Sequence, residues 1–386
     1  MHMLTVMIVG LAMGSTVMIG RYVGEKRERE KRQTIGNTII LFLIMAMVLT
    51  GILLLCIQPI IHVMLTPLEA IQETKYYLTI CFLGIPFIVA YNIMSSIFRG
   101  LGDSKSPMCF VAIACFFNII LDYLFIGYFD LHAMGAALGT VGAQVMSVII
   151  AFIVIYKRKL IQIHKEDFKV KKSIILDVVK IGFPICIQDG FIQISFIIIT
   201  IIANSRGVDV AAAVGVVEKI IGFCFLVPSS MLSAISAICA QCVGTKQHQR
   251  AKDTLKYGII IALSFGILFT ILCQFISKPL ISLFSQEQIV IMYGGQYLKS
   301  YIFDCIFAAI SFGFSGYFTA YGYSIISFIH NFISILTVRI PGAYLASHLF
   351  PDNLFPMGLA SPAGSLLSAI ICIIVYQYMK KHHKLN

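Results

Sequence analysis

A chain of 386 residues that is 59% hydrophobic and only 12% charged has about half the charge of a soluble domain, where roughly a quarter of residues are charged, so a water-soluble globular fold is excluded. The net charge of +11 does not mark a nucleic-acid binder, because the basic residues fall in the gaps between apolar runs and read as a topology signal. Those runs are unbroken rather than alternating, which selects helices over a β-barrel. No P-loop, GxSxG, HExxH or Rossmann pattern interrupts them, so neither ATP-driven chemistry nor hydrolysis is expected and the protein is read as a non-enzyme.

Eleven candidate spans follow in chain order, at 3–22, 36–64, 76–98, 107–128, 133–156, 175–204, 208–242, 255–284, 291–318, 322–349 and 355–379. Each supplies the run of about 20 apolar residues that a bilayer core requires. Gly10 and Gly14 form a GxxxG on the first span, read as a packing face. Pro184 and Pro228 lie within the sixth and seventh, where proline frees carbonyls and permits bending. The eleven cysteines sit in or beside apolar runs, and the CxxC of Cys239 and Cys242 has no second pair, so neither disulfides nor a metal site is expected.

Alternate connections are basic. Residues 21–33, 99–105, 157–172 and 246–256, with Lys380, Lys381 and Lys384, hold 22 of the 29 lysines and arginines. The stretches "TPLEAIQET" and "FPDNLFP" between them hold none. The positive-inside rule puts the basic loops and the C-terminus in the cytoplasm of a multi-pass cell-membrane protein. The first span then begins outside, with Met1 and His2 ahead of it, and a further helix is expected before it.

An internal repeat gives the same expectation. At an offset of 220, Val23-Gly24 aligns with Val243-Gly244, Pro59 with Pro279, Tyr77-Leu78 with Tyr297-Leu298, and Gly102 and Ser104 with Gly322 and Ser324. At 221 Tyr123-Leu124 meets Tyr344-Leu345, and at 223 Met134-Gly135 meets Met357-Gly358. A near-constant offset at equivalent places in the span pattern indicates duplication. Spans one to five pair with seven to eleven, and the sixth lacks a partner. The fold class expected is therefore an all-α polytopic membrane protein, eleven visible helices of twelve, with two parallel halves related by an axis along the membrane normal and a cavity between them. The organisation is an N-terminal lobe at 1–156, a basic cytoplasmic linker at 157–174, a C-terminal lobe at 175–379 and a tail at 380–386.

The segment "IFRGLGDSKSP", followed by "NIILDYLFI" and "MGAALGTVGAQ", resembles the fourth-to-sixth-helix region of multidrug and toxic compound extrusion (MATE) proteins, in particular their DinF-like and archaeal-type branch. "RYVGEK" and "QCVGTK" resemble that family's glycine-containing exit from the second helix of each half. The likeness runs from Met1 through essentially the whole chain, although "TAYGYSIIS" is a degenerate second copy of "RGLGDSKSP" and the family's first helix is absent. A MATE-type two-lobe bundle is what this resemblance implies.

A charged side chain at mid-membrane costs about 2.5–3.5 kcal/mol on insertion scales, which makes intramembrane acids functional candidates. Asn118 and Asp122, spaced i, i+4, share a helix face on which a carboxylate and an amide oxygen can hold a hard cation or a proton. The ordinary alternative is hydrogen bonding between helices. The resemblance implies a cation or proton site of Tyr77, Asn118, Asp122 and Thr140, completed by an Asp on the helix expected before Met1. Gln188 and Asp189 in the sixth span and Asp304 in the ninth are candidates for a substrate cavity. The nearest base to Asp304 in sequence, Lys299, is five positions away and poorly placed for a same-face pair. Glu218 and Lys219 are read as structural, and Arg339, aligned with Asn118 at offset 221, as a fixed positive charge that gives the halves different roles.

The resemblance implies a monomeric secondary antiporter that exports amphipathic, often cationic compounds in exchange for protons or sodium by rocking of its halves, with no cofactor beyond the coupling ion. Its partners are then small molecules and the lipid bilayer, not nucleic acid. A lipid-linked sugar flippase and a truncated, non-transporting remnant are the competing expectations.

Overall fold

The structure, a computed structural model, describes residues 2–63, 68–158 and 164–382. Residues 159–163 of the expected linker, the loop residues Thr66 and Pro67, and Lys384 in the tail lie outside the described residues. Every described element is helical. Long apolar runs leave the backbone no hydrogen-bond partner in lipid other than itself, and the chain answers with helices throughout.

Two compact units divide at Gly182/Phe183. The first holds α1 (His2–Gly24), α2 (Glu28–Leu55), α3 (Ile57–Val63), α4 (Ile71–Leu83), α5 (Ile85–Leu101), α6 (Lys105–Asp122) and α7 (His132–Arg158). α8 (Lys172–Asn204) crosses the division. The second holds α9 (Val208–Gly244), α10 (His248–Ser282), α11 (Gln288–Tyr301), α12 (Asp304–Ala320), α13 (Ser324–Ser334), α14 (Ile340–Leu349), α15 (Phe355–Gly358) and α16 (Ala360–Lys381). Among the described residues nine helices are long and apolar enough to span, and eleven spans result when each of two bent pairs counts as one. These coincide with the eleven read from the sequence.

The repeat is visible in the backbone. α4 and α5 are bent by 42° across Gly84, and α11 and α12 by 40° at the equivalent place. Lys26 and Lys246 both take φ 57° at the exits of α1 and α9. Gly102 and Gly322 take φ 90° and 83° beyond α5 and α12, and in each case the next amide closes the helix, Asp103 N–H donating to Phe98 O at 2.9 Å and Tyr323 N–H to Phe318 O at 2.8 Å. This is the left-handed C-terminal cap that glycine adopts without a Cβ penalty. Packing recurs as well: α1 lies on α2 and α5 as α9 lies on α10 and α12, and α4 meets α2 as α11 meets α10.

The expected linker is fastened to the first unit. Asn37 Nδ2 donates to Lys169 O at 3.2 Å, its Oδ1 accepts from Lys171 N–H at 2.7 Å, and Lys171 Nζ reaches Gln33 Oε1 at 2.6 Å. Gly36 lets the Asp167 carbonyl lie directly on α2. The unit boundary thus falls inside α8, later than the linker at 157–174. Gly14 on α1 packs against Val178 O, and Gly182 against Leu11 O, so the GxxxG glycine is a packing face, against α8. Exposed Leu55, Phe116, Phe152 and Phe275 form part of an apolar exterior suited to lipid.

Candidate functional site

In the first unit α6 runs to Asp122 and continues as a π-helical turn over Tyr123–Tyr128, in which Phe129 N–H donates to Leu124 O at 3.0 Å. Such widened turns are frequent at functional sites. The absence of a side chain at Gly139 on α7 leaves the space that the Asp122 carboxylate fills. Asp122 Oδ1 and Asn118 Nδ2 are buried with no hydrogen-bond partner. A buried polar group without a partner is costly unless a ligand, ion or proton satisfies it.

One residue on from Gly139, Thr140 lines a cavity of about 170 Å³ together with Tyr77, Cys81, Tyr91, Asn92 and Gln144 and with His2 and Thr5 of α1, among others. Gln144 Oε1 is also without a partner. Tyr77 and Thr140 therefore share one cavity, whereas Asn118 and Asp122 do not line it, and Asp122 sits instead at the α6–α7 contact. Carboxylate and carboxamide oxygens one turn apart suit a proton or a hard monovalent cation.

The second unit assembles a different group. Arg339 ends a π-helical turn, Ile335–Arg339, and is buried. Its Nη2 donates to Tyr301 Oη at 2.8 Å, and its guanidinium lies over the Phe196 ring at 4.6 Å. Asp304, the first residue of α12 after the bend, is wholly buried; neither carboxylate oxygen has a partner at good hydrogen-bond geometry, and the Ser365 hydroxyl of α16 comes near it. Arg339 is close enough to act electrostatically on Asp304, Glu218, Tyr297 and Tyr301. The Thr200 hydroxyl reaches Glu218 at 3.3 and 3.4 Å. The base whose charge reaches Asp304 is thus Arg339. Glu218, read from sequence as structural, belongs to this charged group, while Lys219 is exposed. Gln188 is buried with Oε1 unpaired, and Asp189, half-buried, follows it about two turns before Phe196.

Comparison with known proteins decides the family. The MatE family model matches residues 1–124 and 184–345. The chain belongs to the MatE family. Its members are membrane transporters, so this MatE chain is a transporter and not an enzyme. Among curated relatives, the probable multidrug resistance protein YoeA of Bacillus subtilis (strain 168) is 26% identical over 389 residues, covering 98% of this chain and 83% of the relative. The probable multidrug resistance protein NorM of Thermotoga maritima is 24% identical, covering 96% and 81%. Among solved structures, a MATE protein in complex with MaL6 superposes with a TM-score of 0.92 at 20% identity, covering 98% of this chain and 86% of that one. The MATE-type fold expected from the sequence is therefore the fold observed.

Proposed function

We propose that this MatE transporter resides in the cell membrane, C-terminus cytoplasmic, and exports amphipathic, often cationic compounds in exchange for protons or sodium by alternating access. The observation that carries the reading is the unpaired Asp122 Oδ1, one turn from Asn118 on α6 and seated on Gly139 of α7, the helix whose Thr140 shares a cavity with Tyr77. An acid on a membrane-spanning helix with an unpaired oxygen is a natural seat for an ion or a proton. A site that changes occupancy between membrane faces is what couples an ion gradient to transport. Relatives named multidrug resistance proteins support the substrate class, and they lend nothing to the flippase alternative. Substrate contact by Gln188, Asp189 and Asp304 is part of the same proposal, with Asp189 the acid best placed to attract a cationic compound because Arg339 stands near Asp304.

The test is efflux of a cationic dye from reconstituted vesicles under an imposed pH or sodium gradient. Efflux that follows at least one gradient and collapses with it is expected. Efflux indifferent to both contradicts the reading.

A further inference from the structure

The stretch from His164 to Lys172, "HKEDFKVKK", sets four lysines and two apolar residues against two acids. Basic runs of this kind are commonly loose and solvated, but this one is fixed. Asp167 is buried; its Oδ2 accepts from His164 N–H at 2.9 Å, and Arg32 Nε of α2 lies 3.4 Å away. Gln33, Gly36 and Asn37 of the same helix hold Lys171 and the backbone on either side of it. The clamp thus occupies Asp167 and Lys171 and leaves Lys165, Lys169 and Lys172 exposed, with Glu166 as the one exposed acid of the segment. Phe168 and Val170 are exposed as well, at 41% and 65%. The backbone is extended at Lys169 (φ −64°, ψ 120°), so these two side chains leave it on one side.

The clamp also fixes the depth of the segment. Asn37 stands two residues before Ile39, where the unbroken apolar run of α2 begins, so the segment lies where hydrocarbon gives way to headgroups. α7 reaches the same boundary with Tyr156, 86% exposed, followed by the exposed Lys157, the aromatic and basic order that marks an interface. At that depth exposed Phe168 and Val170 suit the upper acyl chains, and lysine stems run along apolar surface while their ammonium groups stay with phosphate.

We infer that the clamped segment 164–172 is a binding site for anionic phospholipid: Lys165, Lys169 and Lys172 engage the headgroup phosphate while Phe168 and Val170 enter the acyl-chain boundary. The inference is independent of what the protein exports and of the ion that drives it. A slack loop loses conformational freedom when it binds lipid, whereas this one is already ordered on α2, so the charge attraction is not offset by that cost. Because Lys172 opens α8, lipid bound here also fastens the start of α8 to the bilayer surface.

The experiment mixes full-length protein, purified in detergent, with phosphatidylglycerol or phosphatidylcholine at equal mole fraction and reads the melting temperature. Phosphatidylglycerol is expected to raise it by several degrees more than phosphatidylcholine, and high salt to shrink that difference. Lys165→Gln, Lys169→Gln and Lys172→Gln together are expected to abolish the preference while leaving the melting temperature in phosphatidylcholine unchanged. Phe168→Ser with Val170→Ser is expected to weaken it with every charge in place. A control that removes three exposed cations of another basic loop, Lys246→Gln, Arg250→Gln and Lys256→Gln, is expected to keep it. A preference that survives the first triple variant, or that the control loses equally, overturns the inference, since the effect is then absent or one of net charge alone. Inorganic phosphate that reproduces the shift without lipid overturns it too. If the first triple variant does not fold, the Phe168→Ser, Val170→Ser protein decides, and an undiminished preference there overturns the inference.

Discussion

A carboxylate inside a membrane is held by whatever supplies its missing partner. Asp122 has room only because position 139 is glycine. Gly139→Ala is therefore expected to push the carboxylate off α7 and impair ion-dependent transport several-fold while the protein still folds; gradient-driven dye efflux, with size-exclusion profiles as the control, checks this. Asp122 and Asn118 were legible in the sequence because polar residues at i, i+4 in an apolar run stand out. The Arg339 group was only half legible. The repeat offset set Arg339 against Asn118, but the meeting of Phe196, Glu218, Asp304 and Arg339 joins residues far apart in the chain, and hydropathy carries no record of which helix faces which.

The eleven spans were readable because each needs its own long apolar run, and their ends were readable because glycine and basic residues cluster there. The bends were not. Gly84 and Pro86 could have signalled the first, yet the second falls at Ile302 and Phe303, neither of which is a helix breaker that a sequence reading would mark. Caps test the element account directly. Gly102→Ala and Gly322→Ala each force a side chain into the left-handed region at φ 90° and 83°, at a cost of roughly 1–2 kcal/mol, so each is expected to lower the melting temperature of purified protein by a similar amount. Gly14→Leu drives a side chain into the α8 backbone at Val178 and Gly182 and is expected to be far more disruptive, because backbone cannot yield as a side-chain tip can. A Gly14→Leu protein as stable as wild type contradicts the close approach of α1 and α8.

For the whole molecule, charge placement makes an orientation claim that packing alone does not. With the basic loops inside, an Asp352→Cys variant in a cysteine-free background is expected to react with a membrane-impermeant maleimide on intact cells, and a Thr245→Cys variant only after permeabilisation; the reverse pattern contradicts the orientation. The duplication was legible because both copies retain the residues that fix their exits, such as Val23-Gly24 and Val243-Gly244. The repeat offset also set Arg339 against Asn118 and so marked the copies as different in charge. The central claim is that Asp122 is where the driving ion acts. Dye efflux from vesicles under imposed proton and sodium gradients, compared between the wild-type protein and Asp122→Asn, tests it most directly. Loss of gradient-driven efflux in a variant that remains folded is the predicted result, and gradient-driven efflux at the wild-type rate would contradict it.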